Sequence, residues 1–328
     1  MKKKILVCGV GSIGERHINN LISLGYKNIS LYRVRNLPFR ILNHDLPVYD
    51  SLDEALKQCP DIAFICNPTH LHMSTSIQCA KSGCHLFIEK PLSHNLEHVN
   101  TLNNLLNENQ KYAMIGYMMR FHPFLLKAKT WIDKGMIGDT IFALTQWGEY
   151  LPDWHPWEDY RESYASKNEM GGGVTLTLSH EIDTMIWLFG NVLEIKGMVN
   201  TASSLEIDSE HAIDILLRFK KGKTANIHLD YIQKPPQRTT AIIGKTGKII
   251  FDYYKNQVQL FSEQIKEPIC HTDKTFDKNR LFVSEIKYFL DCINRKIQPK
   301  PGIMEGIESV RVALEAKKEM DNYHAKTN

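Results

Sequence analysis

Ile5-Leu6-Val7-Cys8-Gly9-Val10-Gly11-Ser12-Ile13-Gly14-Glu15-Arg16-His17 decides how the N-terminal part of this chain folds. Four unbroken apolar residues read as a buried strand. The apolar spacing over 13–24 reads as a helix, closed by Gly25. Between strand and helix stands Gly9-x-Gly11-x-x-Gly14. Gly9 permits the tight turn, Gly11 lets a pyrophosphate approach the backbone, and Gly14 lets helix and strand pack closely. The helix start supplies free N–H groups and the positive end of a dipole. Strand, glycines and helix in that order are the context a dinucleotide site requires. A glycine-rich turn that binds nothing is the plainer alternative. Gly9, Gly11, Ser12, Ile13 and Gly14 are therefore candidate cofactor contacts.

Outward from this stretch, strands at 29–32, 62–66, 86–88 and 113–117 alternate with helices at 52–58, 74–81 and 96–107. Such alternation specifies a parallel sheet covered on both faces. The pattern changes after about residue 120. A helix at 124–134 leads to a strand at 140–147, a polar aromatic loop and a helix at 180–189. Strands follow at 195–202, 212–219, 224–233, 239–243, 248–253 and 257–261. In the third of these, Ala225, Ile227, Leu229 and Tyr231 alternate with Thr224, Asn226, His228 and Asp230. That is a sheet with one apolar and one polar face. Two helices, 283–294 and 306–320, end the chain.

Composition narrows the function classes. The 328 residues are 43% apolar and 23% charged, which excludes disorder as the main state. Lys plus Arg (40) nearly balance Asp plus Glu (37), which gives no reason to expect a nucleic-acid or membrane partner. No apolar run approaches the roughly 18 residues of a membrane helix. Lys2, Lys3 and Lys4 imitate the start of a secretion signal, but the short apolar stretch behind them runs into the glycine loop and reads as the first strand. The seven cysteines are odd in number and form no Cys-x-x-Cys. This argues against a disulfide framework or a zinc site and for a reducing cytoplasm.

Two further signals carry chemistry. An acid about 20 residues after the glycines binds the ribose hydroxyls of NAD. No Asp or Glu stands between Leu31 and His44, whereas Arg33 and Arg35 follow the second strand. An arginine there pairs with a 2′-phosphate, which favours NADP over NAD; solvated loop charges are the alternative. The second signal is Phe87-Ile88-Glu89-Lys90-Pro91, a strand ending where a parallel sheet places its ligands. A lysine there can hold a substrate hydroxyl and stabilise its developing charge, although a lone lysine at a strand end is more often a surface residue.

Together these segments resemble the Gfo/Idh/MocA family of NAD(P)-dependent oxidoreductases. The resemblance rests on Gly9 to His17, Cys66-Asn67-Pro68-Thr69-His70-Leu71-His72, Ala80 to Gly83 and Glu89-Lys90-Pro91-Leu92. It continues through Gly116-Tyr117, Arg120-Phe121-His122-Pro123, Gly171-Gly172-Gly173 with His180 and Asp183, and Leu188-Phe189-Gly190. The start of the C-terminal helix at 285–293 and Pro301-Gly302 fit as well. The resemblance implies an α/β Rossmann domain (1–120) followed by an α+β substrate-binding and oligomerisation domain (121–328) with an open, mostly antiparallel sheet. It implies that Lys90 is the catalytic lysine and His180 the acid/base group. It also implies that Glu89, Asn67, Pro68, Thr69 and His72 line the nicotinamide and its ribose. One departure matters: many members carry Asp four residues before the histidine, where this chain has Leu176. The family's Asp–Lys–His triad therefore does not carry over. Asp183, three residues beyond His180, can orient it, bind a substrate hydroxyl, or simply pair within its own domain.

Residues 150–169 gather Trp154, Trp157, Tyr160 and Arg161 in a short polar segment. Aromatic planes stack on sugar faces and arginine reads anionic groups, so these residues and Arg120 are candidate substrate contacts. A packed loop is an equal reading for the tryptophans. Asn226, His228 and Asp230 share one strand face, but hydride transfer needs no metal and none is expected. The chain reads as a cytoplasmic NADP- or NAD-dependent oxidoreductase acting on a sugar, sugar nucleotide or cyclitol. The His-Glu-Ile-Asp sequence points by resemblance to bacterial surface-sugar pathways. A homodimer or homotetramer is expected, because an open sheet face must be covered. Two rival readings are transient oxidation on tightly bound NAD, as in dehydratases and epimerases, and a non-catalytic dinucleotide-binding sensor.

Overall fold

A computed structural model describes residues 3–34, 39, 45–200, 202 and 205–327, with side chains through Lys318. The first elements are β1 (Ile5–Cys8), α1 (Ser12–Ser23), β2 (Ile29–Tyr32), β3 (Val48–Tyr49), α2 (Leu52–Leu56) and β4 (Ile62–Ile65). Next come α3 (His72–Lys81), β5 (His85–Ile88), α4 (Val99–Glu108), β6 (Ala113–Ile115), α5 (Pro123–Asp133) and β7 (Thr140–Gly148). Two helices, α6 (Val174–Thr177) and α7 (His180–Phe189), precede strands β8 (Val192–Asn200), β9 (Ala212–Phe219) and β10 (Thr224–Asp230). The remainder is β11 (Gln237–Gly244), β12 (Gly247–Asp252), β13 (Gln257–Ser262), β14 (Ile269–Thr272), α8 (Asn279–Arg295) and α9 (Ile303–Thr327).

The chain divides into two units. The first comprises Met1–Met118 and Asn279–Val310. Its sheet has strand order β3-β2-β1-β4-β5-β6, with every described pairing parallel. The order reverses beside β1, the crevice in which doubly wound sheets bind ligands at the carboxyl ends of their strands. Residues of β1 and β4 are buried on both faces, as their unbroken apolar runs predict.

The second unit comprises Met119–Lys278 and Arg311–Asn328. Its eight-stranded sheet runs β14-β13-β12-β11-β7-β10-β9-β8. All described pairings are antiparallel except β10 with β7. Period-two patterning is plain in β9, where Ile213, Ile215 and Leu217 are buried while Leu216 is 53% exposed.

The expected division at residue 120 is corrected at the C-terminal end, because 279–310 return to the first unit. The reason is cover for α1 and the adjoining strands: Phe282 of α8 packs edge-on to His17, and Phe289 packs edge-on to Phe64 and Phe87. The helix expected over 96–107 starts only at Val99, because His98 stands in the left-handed region at φ 60°. The short strands β3 and β14 carry too little periodicity to be read from sequence.

Candidate active site

In the first unit, β1 delivers the chain to Gly9 at φ +94°. A Cβ there would run into the Asn67 backbone, and one on Gly14 would meet the Gly9 carbonyl oxygen. Nothing lies within 4 Å of a Cβ built on Gly11, so the middle glycine borders open space. Gly11 caps α1 without any side-chain hydrogen bond, which leaves the first-turn N–H groups facing outward for an anion. Ser12 is exposed and Ile13 half-buried. These features fit a dinucleotide's pyrophosphate.

The next strand end carries Asn67, whose Nδ2 donates to Thr75 Oγ1 at 2.8 Å while its buried Oδ1 has no partner. An unsatisfied buried acceptor is rare, and a polar group of a ligand would satisfy it. Pro68 is half-buried and Thr69 is buried. His72 lies beneath this loop. Its Nε2 is 2.8 Å from the Asn67 carbonyl oxygen and its Nδ1 is 2.8 Å from that of Pro91. It thus ties the Asn67 loop to the segment after Lys90. Burial pulls its pKa down, against the two carbonyls and Glu89.

Lys90 is the second residue past β5 and is half-buried. Its backbone N–H donates to Glu89 Oε2 at 3.2 Å. Glu89 itself is buried, and its Oε1 accepts from His17 Nε2 at 2.6 Å. Arg33 is half-exposed just past β2, with its guanidinium 4.7 Å from the centre of the Phe39 ring. Arg35 lies outside the described residues.

In the second unit, His180 is the first residue of α7 and only 4% exposed, its ring 5.9 Å from that of Trp147. The residues behind it are anchored in sequence. Glu181 accepts from Arg238 at 2.6 and 3.1 Å, both side chains being buried. The Arg238 guanidinium stacks 3.8 Å from the Trp147 ring centre. Burial raises the Glu181 pKa, and Arg238 opposes that rise. Asp183 accepts from Arg120 Nε at 2.9 Å and Nη2 at 2.8 Å. The two candidates Arg120 and Asp183 are therefore partners in one buried fork. Leu176, in the place of the family's Asp, is buried in the core at 2% exposure.

The aromatic loop is not one cluster. Trp154 packs edge-on to Tyr231, whereas Trp157 is 59% exposed beside His155. Tyr160 accepts from the Glu206 N–H at 3.4 Å. Arg161 donates to Asp159 and to Glu206, which occupies the cation expected to read an anionic ligand. The hydrogen bonds from the Arg161 side chain and backbone lower the Asp159 pKa to about 2. Sequence reasoning overlooked Arg238 and Trp147, which no motif marks, and the use of Glu181. Among the described residues, the group whose ligand atoms come close enough to hold a cation is His17, Glu89 and Glu285, not the Asn226–Asp230 stripe.

The parallel sheet, its glycine loop and a lysine at a strand end define an NAD-binding α/β oxidoreductase. Residues 3–117 match the oxidoreductase family with an NAD-binding Rossmann fold, and residues 125–250 match the GFO/IDH/MocA C-terminal domain. The chain belongs to the Gfo/Idh/MocA oxidoreductase family. It is 28% identical over 216 residues to an uncharacterized oxidoreductase of Streptococcus pneumoniae, a match covering 63% of this chain and 56% of that protein. It is 24% identical over 347 residues to the myo-inositol 2-dehydrogenase of Thermotoga maritima, covering 97% and 96%. A levoglucosan dehydrogenase in complex with NADH shares its fold, with a TM-score of 0.84, 16% identity and coverage of 97% and 98%. Among the described residues no helix is long and apolar enough to cross a membrane.

Proposed function

We propose that this protein is an NAD(P)-dependent dehydrogenase or reductase of a hydroxyl-bearing carbon in a sugar, sugar nucleotide or cyclitol. The observation that carries the reading is Lys90, half-buried at the carboxyl end of β5, in the same sheet whose β1–α1 loop presents the glycine cradle. Gly9 to Gly14 and the Asn67 loop would hold the dinucleotide. When bound, its nicotinamide supplies the hydride chemistry. Lys90 donates to the reacting oxygen and stabilises its charge, and His180 moves the proton. Asp183, fixed by Arg120, serves α7 and through it His180. Arg33 pairs with a 2′-phosphate, giving a preference for NADP. The likeness to the myo-inositol 2-dehydrogenase of Thermotoga maritima over nearly the whole chain supports the polyol substrate class. A cytoplasmic homodimer or homotetramer, joined through the outward face of the second sheet, completes the proposal. Leu144, Leu216 and Met198 are exposed on strands of that sheet at 50%, 53% and 71%.

The test is turnover on a panel of cyclitols, sugars and sugar nucleotides with both cofactors, repeated on Lys90→Met. Cofactor affinity should stay within a few-fold while turnover falls by roughly two or more orders of magnitude. Near-normal turnover in that variant removes Lys90 from the chemistry. Product formed without net change in nicotinamide absorbance would instead establish transient oxidation. Cofactor binding without turnover on any substrate would establish the sensor.

A further inference from the structure

Three titratable side chains from distant parts of the sequence meet inside the first unit. His17 comes from α1, Glu89 from the end of β5 and Glu285 from α8, with exposures of 0%, 7% and 0%. One ligand atom from each lies within 4.8 Å of the other two. The surrounding walls are aromatic. Phe64, Phe87 and Phe282 stand 5.6, 5.1 and 6.1 Å from the His17 ring, and Phe289 packs edge-on to Phe64 and Phe87. The other ionisable groups that interact with the cluster are Lys90 and the buried His72 beside Glu89 and the buried Cys66 thiol, while the Arg16 guanidinium lies over the Phe282 ring.

Hydrogen bonding fixes where the protons are. His17 Nε2 donates to Glu89 Oε1 at 2.6 Å, and the buried His17 Nδ1 has no partner. The tautomer with its proton on Nε2 alone leaves no buried N–H unpaired. Glu89 also accepts the Lys90 N–H through Oε2, so it is satisfied as an anion. Glu285 is different: both of its buried oxygens lack a hydrogen-bond partner. A second carboxylate there would face Glu89 in an apolar pocket without donors, a cost that one proton removes. Burial and the charge of Glu89 both drive the Glu285 pKa well up. A divalent cation would also relieve two anions, and the metal content of the purified protein distinguishes it from a proton.

We propose that His17, Glu89 and Glu285 form a buried proton-holding network, with Glu285 an uncharged acid and Glu89 its single anion, and that this network positions Lys90. The network joins the helix of the glycine cradle to the strand end that carries the lysine. One anion then balances one ammonium. Glu89 and Glu285 are positioning residues, and their kinetic part rests on the reading of Lys90 as the group that holds the reacting oxygen.

The experiment measures unfolding free energy against pH, and kcat/KM against pH, for the full chain and for Glu285→Gln and Glu89→Gln. A carboxyl that keeps its proton on folding but loses it on unfolding makes stability fall as pH rises above about 4.3. The wild type should take up about one more proton on folding near neutral pH than Glu285→Gln does. In Glu89→Gln the basic limb of the kcat/KM profile should move down by about one pH unit, because Lys90 loses its counter-charge. Identical proton uptake in wild type and Glu285→Gln overturns the proposal. So does a stoichiometric tightly bound metal in the purified protein that Glu285→Gln lacks. If Glu89→Gln fails to fold, the proton count of Glu285→Gln decides alone. Normal turnover of Lys90→Met with the proton difference intact would reject the lysine's role and leave the network standing.

Discussion

Replacing Arg238 with methionine tests how α7, and with it His180, is held on the second sheet. The change removes two hydrogen bonds, of 2.6 and 3.1 Å, and the guanidinium stacked on Trp147. It leaves Glu181, whose side chain is 4% exposed, without its cation. Breaking a buried pair in this way costs about 3–5 kcal/mol, because the remaining charge keeps its desolvation penalty. In a unit of this size that lowers the melting temperature by roughly 6–20 °C. Protonation limits the loss. Burial already raises the Glu181 pKa against the opposing Arg238, so the variant's carboxyl titrates higher still. A raised carboxyl pKa gives stability that is full at low pH and lost as pH rises through the folded value. The deficit should therefore be smaller at about pH 5 than at about pH 8. Glu149 also lies in this field, and loss of the Arg238 charge relieves part of the downward pull on His122 and Lys278, which likewise favours the variant at the lower pH. The double variant Glu181→Leu/Arg238→Met should recover most of the loss, to within about 1 kcal/mol of wild type. Chemical denaturation of the four proteins of the cycle at both pH values reads these quantities. A cost for Arg238→Met below about 1 kcal/mol at the higher pH would refute the reasoning, as would a double variant no better than the single.

Three other outcomes are expected. Calorimetric titration should show NADP bound about ten- to a hundredfold more tightly than NAD, with Arg33→Ala abolishing the difference; an unchanged ratio assigns Arg33 to its contact with Phe39. His228 lies between Asp230 and Asp214, whose carboxylates raise its pKa to about 9. The stability it contributes should be complete below about pH 6.5 and lost as pH rises through about 9. His228→Asn should flatten that stretch of the stability curve, and an identical slope in both proteins would count against the assignment. Light scattering at micromolar concentration should find a dimer or tetramer that Leu216→Glu dissociates, and a monomeric wild type would remove the sheet-face interface.

What was legible in the sequence is what is local. The glycine cradle lies within one strand–helix junction, where spacing marks it, and Lys90 lies just past the end of its strand, where the family resemblance singled it out. The strands of the second sheet declared themselves by alternation, as β9 does with Ile213, Ile215 and Leu217 against exposed Leu216. Partnerships across long stretches left no such trace. Arg120 and Asp183 read as separate candidates, yet 63 positions apart they form one fork. Arg238, one position ahead of the strand expected at 239–243, carried no signal until its pairing with Glu181 placed it under α7. Glu285 fitted a family pattern, but its uncharged state depends on Glu89 and an aromatic wall that only the fold assembles.

The return of the chain to the first unit has a consequence for how the protein is made. The polypeptide passes from one unit to the other at Met118, at Lys278 and again within α9 at Val310. A ribosome that has released the parallel strands has therefore not yet produced Phe282, Glu285 or Phe289, which close their aromatic core. The second unit waits longer still, because Gly197 packs against Ala316 and Glu210 pairs with Lys317. Both units stay open until translation reaches α9, and during that interval their apolar faces are the surfaces most in need of protection from aggregation.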